Sequence, residues 1–133
     1  MSRHNIITKI HLVISVIIVV PVAILYGFFP DALLELTPET LDEQNFNKAV
    51  MGIYILFSAL WTAALFNKAY LKTALISNVF FMLGLGFGRL MSVFVDGIPS
   101  NGYAYGLIGE LILGFYGLWA LKSQLSSDNI KKH

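Results

Sequence analysis

Four apolar runs, each close to the roughly 20 residues a helix needs to cross a bilayer, leave little room for any other fold. They fall at about residues 10–29, 46–66, 73–95 and 103–121, and a polar tail, 122–133, follows. Backbone in hydrocarbon must satisfy its own hydrogen bonds, so runs of this length are expected as helices. The fold class expected is therefore all-α: one domain over residues 1–133, an integral membrane four-helix bundle, up-down-up-down. Composition agrees, with 56% hydrophobic and 13% charged residues, about half the charged share of a soluble domain. The bilayer is thus the first partner expected.

The first run follows a short basic lead of Arg3, His4 and Lys9. Its apolar part is too long for a secretory signal and Ala23-Ile24-Leu25 is a poor cleavage site, so an uncleaved helix is expected, with a kink at Pro21. Pro30 to Gln44 is the one sizeable polar connection, and Asp31 to Leu36 within it suits a short interfacial turn. Thr40-Leu41-Asp42-Glu43 has capping-box spacing, which starts the second helix near Leu41. Gly97 to Gly102 is a tight turn by composition, and the tail beyond Leu121 is expected to fray.

Charge asymmetry sets the orientation. Arg3, Lys9, Lys68, Lys72, Lys122, Lys131 and Lys132 lie in the N-terminal lead, the loop between the second and third runs, and the tail. The other two loops carry only Lys48 beside a helix start. By the positive-inside rule both termini are cytoplasmic, N-in and C-in. Net charge is +1, so no basic excess points to nucleic acid. Cysteine is absent, which removes disulfides, thiolate nucleophiles and iron–sulfur ligation. His4 and His133 are terminal and His11 reads as interfacial, so a haem held by two histidines is excluded. No metal site and no cofactor are expected.

Two charges lie deep in apolar sequence: Arg89 in the third run and Glu110 in the fourth. A charge at depth costs a few kcal/mol on insertion scales and needs a partner. At about 1.5 Å per residue both lie roughly 10 Å below the outer boundary. The tight turn makes their helices antiparallel neighbours, so the simplest answer is an Arg–carboxylate pair, bidentate where geometry allows, with Asp96 able to attract Arg89 from the rim. On the third helix Asn78, Met82, Leu85, Arg89, Ser92 and Asp96 recur at steps of four and three and share one face. On the second, Asn47, Met51, Tyr54, Ser58 and Trp61 form a stripe toward the same cavity. Gly102, Gly106, Gly114 and Gly117 flank Glu110 on the fourth, where small residues let helices approach, and Gly84 and Gly88 offer a similar groove on the third.

The pattern Gly88-Arg89-Leu90, Ser92, Asp96-Gly97 and Pro99, followed by Glu110-Leu111 and Gly114, resembles the bacterial membrane proteins of domain of unknown function family 4345. Asn45, Lys48, Gly52 and Tyr54 also resemble that family's second-helix segment, with Lys48 where arginine is more usual. The resemblance runs over about Asn45 to Leu121. It implies a multi-pass protein of the bacterial inner membrane and supports the polar cluster, and it implies no activity.

For Arg89 and Glu110 two readings stand open: a buried pair that fixes helix register, or a ligand, lipid-headgroup or proton site. Asp96 reads first as the turn residue before Gly97. The candidate pocket is Arg89, Glu110, Asp96, Tyr54, Ser92, Asn78 and Ser58, holding a small molecule or lipid and open toward the outer leaflet. The alternative is a non-catalytic subunit docking a membrane protein partner through its glycine faces. An enzyme using Glu110 or Asp96 as acid or base ranks third, because no nucleophile or metal set is visible. No catalytic residue is assigned.

Overall fold

The structure, a computed structural model, describes the backbone of residues 2–32 and 34–132. Among them four helices are present: α1 over Arg3–Phe28, α2 over Leu41–Phe66, α3 over Leu71–Asp96 and α4 over Asn101–Lys132. A 3₁₀ turn, Lys68–Tyr70, leads into α3. Among the described residues there is no strand. All four helices are long and apolar enough to cross a membrane, with peak mean hydropathy between 1.4 and 2.5.

Helix boundaries follow local chemistry. The capping box at α2 is complete: Glu43 N donates to Thr40 Oγ1 at 3.1 Å while Thr40 N donates to Glu43 Oε2 at 3.1 Å. Asn67 Oδ1 accepts from Ala69 N at 3.0 Å and starts the 3₁₀ turn. Gly97, at φ 111°, ends α3 in a conformation that L side chains avoid. The expected turn over Asp31–Leu36 includes Leu33, which lies outside the described residues. Beside it Leu36 N donates to Pro30 O at 3.0 Å.

Two helices are longer than apolarity alone suggests. α1 begins at Arg3 rather than near Ile10 and runs unbroken through Pro21. α4 continues to Lys132, so the tail expected to fray is helical. Polar side chains supply the reason. Gln124 Nε2 donates to Asn5 Oδ1 at 3.2 Å and to Thr8 Oγ1 at 3.0 Å, all three buried. Lys72 Nζ pairs with Asp128 Oδ2 at 3.1 Å on the exposed side. The ends of α1 and α4 therefore hold each other by hydrogen bonds instead of apolar burial. The side chains of Lys131 and Lys132, and all of His133, lie outside the described residues.

α1 packs chiefly on α2 and α3 chiefly on α4, so the molecule is two helical hairpins laid together. Between α3 and α4, and between α1 and α4, residue numbers rise on one helix as they fall on the other, which is antiparallel packing. Lys72 meets Asp128 and Arg89 meets Glu110 between α3 and α4, and Asn5 meets Gln124 between α1 and α4. The core between the hairpins holds Leu12, Val19, Ala23, Trp61, Met82 and Leu113. Trp61 is fully buried, and its Nε1 donates to Ser77 Oγ at 3.0 Å, tying α2 to α3. Outward faces are apolar too, with Phe66 88% and Phe94 81% exposed. Such a surface suits a lipid bilayer and would aggregate in water.

Glycine packing splits by depth. A Cβ on Gly114 would collide with Leu83, and one on Gly117 would lie 2.7 Å from Val79 Cγ2 and 3.1 Å from His11 Nε2. Those positions permit the close α3–α4 and α1–α4 approach. Gly106 meets nothing within 4 Å, and neither do Gly84 and Gly88, which face outward. The groove expected at Gly84 and Gly88 is instead supplied by Gly86, whose Cβ would lie 2.7 Å from Leu111 Cδ2.

Candidate functional site

The ion pair forms across the α3–α4 interface, with each side chain largely shielded. Arg89 Nε donates to Glu110 Oε2 at 2.9 Å and to Oε1 at 3.1 Å, so one nitrogen serves both carboxylate oxygens. This differs from a bidentate fork, in which two guanidinium nitrogens would face the carboxylate. The reason is a third helix: Arg89 Nη2 donates to Tyr26 Oη of α1 at 3.1 Å. Above the guanidinium, the Tyr103 ring of α4 lies 5.3 Å away in cation–π geometry. The guanidinium thus joins α1, α3 and α4, and its charge is cancelled within α3 and α4.

Aromatic packing continues from this cluster. Tyr26 and Tyr54 meet edge to face at 5.6 Å, and Tyr54 meets Phe81 at 5.0 Å. Tyr54 is buried on α2, so four helices converge on the pair. Beside it opens a cavity of about 310 Å³, at the small end of the range typical of ligand pockets. Arg89, Glu110, Tyr26, Tyr54 and Tyr103 form its polar end, while Val19, Val22, Met82 and Leu113 line the apolar remainder. Gly102, Gly106 and Gly109 form part of its wall. The upper glycines of α4 therefore border the cavity, where a close helix contact was expected.

Of the candidate pocket residues, Arg89, Glu110 and Tyr54 come together at this cavity, and the other four lie elsewhere. Ser58 is buried and donates to Tyr54 O at 2.8 Å, so its hydroxyl is used within α2. Asn78 is fully buried below the cavity floor, and among the described residues no group hydrogen-bonds its amide. Ser92 and Asp96 are exposed, with Ser92 Oγ donating to Asp96 Oδ2 at 2.8 Å. The rim carboxylate is engaged on its own helix, and Tyr26 takes the place at Arg89 that Asp96 was expected to fill. The stripe from Asn78 to Asp96 faces the bundle as far as Arg89 and turns outward at Ser92 and Asp96.

Three functional-site neighbours escaped the reading of the sequence. Tyr26 stands at the top of a stripe on α1 in which Ser15, Val19, Val22 and Tyr26 recur at steps of four and three. Tyr103 stands two helical turns before Glu110 and so on its face. His11, expected at the interface, is fully buried, and its Nε2 donates to Leu113 O at 2.7 Å. A lone histidine near the end of an apolar run carries no signal that separates these two outcomes. Leu113 is also part of the cavity floor, so His11 supports that floor from below.

Chemically, the arrangement offers an apolar hollow with phenol, guanidinium and carboxylate groups at one end. A guanidinium and carboxylate already engaged with each other present donors and acceptors with no net charge. Among the described residues, no group of three or more His, Cys, Asp or Glu gathers for a metal ion.

No curated protein and no solved structure matches this chain. A family model does match, described as Domain of unknown function (DUF4345), over residues 7–121. That match extends past the three helices carrying the resemblance and takes in α1, the helix that brings Tyr26 to the arginine. The chain, matched over most of its length and through all four helices, belongs to this family.

Proposed function

We propose that this is a binding protein of the bacterial inner membrane that holds a small amphipathic molecule, small compound or lipid, in the cavity beside Arg89 and Glu110. The observation that carries the reading is the cavity itself: about 310 Å³, apolar along its length and polar at one end. Its four helices act as one unit that crosses the bilayer up-down-up-down, with both termini cytoplasmic. Loop charge supports that orientation, which sets the polar end roughly 10 Å beneath the outer surface, given that Arg89 lies seven residues before the end of α3 at Asp96. A binding role is favoured over catalysis because the ionisable groups at the cavity neutralise one another.

Native mass spectrometry of the protein released from mild detergent tests the reading. Wild type should carry a bound small molecule, and Gly106→Leu, which puts bulk into the cavity wall at a position where a Cβ meets nothing within 4 Å, should lose it. If wild type flies bare and instead retains a second membrane protein, the chain is an accessory subunit and the cavity is incidental.

A further inference from the structure

The cavity has a neighbour on the opposite side of Tyr54. A groove of about 460 Å³ lies between the outer halves of α2 and α3, lined by Phe46, Val50 and Ile53 on one side and Phe81 and Leu85 on the other. Arg89, Tyr26 and Tyr54 border both spaces, as do Phe81 and Leu85. The groove exists because α2 and α3 belong to different hairpins and are pinned together lower down. There Trp61 stacks edge to face on Phe81 at 5.2 Å, Phe57 lies 5.3 Å from the same ring, and Trp61 bonds Ser77. Above that aromatic clamp Phe46 and Ile53 are 68% and 53% exposed to the side of the bundle. The groove therefore faces the bilayer, while its inner wall is the polar cluster.

Resting on the binding role above, we propose that the ligand is a membrane amphiphile with an uncharged, oxygen-bearing head. It reaches the site sideways through the α2–α3 groove, with its head in the cavity at Arg89 and Tyr54 and its hydrocarbon tail in the groove. Three observations select this occupant. Groove and cavity share one wall, formed by Tyr26, Tyr54, Phe81, Leu85 and Arg89. Its lining is hydrocarbon-like and opens toward lipid, so a tail placed there exchanges one apolar medium for another. The head must carry no charge, because Arg89 is already neutralised by Glu110 at 2.9 Å and an added anion would compete with that carboxylate. Charge at the mouth reinforces this selection, since Asp42 and Glu43 stand one helical turn before Phe46 and repel anionic heads.

The test uses the full-length protein in phosphatidylcholine nanodiscs containing a trace of monoacylglycerol with a diazirine in its chain. After photolysis, peptide mass spectrometry should find Phe46, Val50, Ile53 and Phe81 labelled several-fold above Phe80 and Phe94, which are exposed on other faces. A fatty acid with the same diazirine should label the groove less. Ile53→Trp, at an exposed position that tolerates bulk, should remove groove labelling while leaving the melting temperature in place; Val50→Phe serves if that variant does not fold. Equal labelling of the groove and the outer faces overturns the proposal, because the groove then holds only bulk lipid. Label confined to Met82 and Leu113 overturns the sideways placement but leaves the cavity as a binding site. Label above background at neither place sinks both.

Discussion

Arg89 answers to three side chains, and they should not contribute equally. Glu110 supplies the countercharge, so Arg89→Leu or Glu110→Leu strands a shielded charge and should each cost about 3–5 kcal/mol. The double variant leaves neither charge and should be much milder than the sum, which a double-mutant cycle on thermal unfolding measures directly. Simple additivity would mean the two charges do not touch. Tyr26→Phe removes one hydrogen bond to a charged group and should cost about 1.5–3 kcal/mol. Legibility at this scale followed the same ranking. A guanidinium and a carboxylate in apolar sequence announce a pair, because neither is affordable alone at depth. Tyr26 does not announce itself, since a tyrosine near a helix end fits an interfacial belt as well as a buried bond. Asp96 misled for the opposite reason: its charge made it a partner for Arg89 on paper, yet Ser92 lies one turn away on its own helix and claims it.

For the helices, the fourth is the informative one. Its lower glycines are packed and its upper ones line a hollow, so the same substitution should act differently along one stripe. Gly117→Leu forces Val79 and the His11 ring apart and should lose about 1–3 kcal/mol in detergent. Gly106→Leu meets open space, and the better helix propensity of leucine over glycine should leave stability unchanged or raised by up to about 1 kcal/mol. Equal melting losses for the two would contradict the split. The end of α4 makes a second case. Gln124→Leu leaves Asn5 and Thr8 buried without their shared donor and should cost about 1–3 kcal/mol, visible as a lowered melting temperature. Apolar periodicity located the four helices and the capping box placed the start of α2, because both signals are local. The last eleven residues of α4 were not legible that way, since what makes them helical is a partner 119 positions away in sequence.

The whole molecule is ordered by its hairpins and by its loop charges. If both termini face the cytoplasm, cysteine placed at Glu39 should react with an impermeant reagent in intact cells, and cysteine at Ser126 should not. The absence of native cysteine makes that measurement clean, and the reverse pattern would invert the bundle. The hairpin arrangement has a further consequence for how the chain is made. Arg89 and Glu110 both belong to the second hairpin and are 21 residues apart, joined by a turn of only a few residues. The cation can therefore meet its anion as soon as that hairpin forms, before docking on α1 and α2 is complete. No lone guanidinium has to wait in hydrocarbon for a distant helix to arrive. The first hairpin, with neither a carboxylate nor a guanidinium at depth, can leave the translocon independently. Biosynthesis then reduces to two electrically quiet insertions followed by one docking step, and the Tyr26 hydroxyl closes onto Arg89 last.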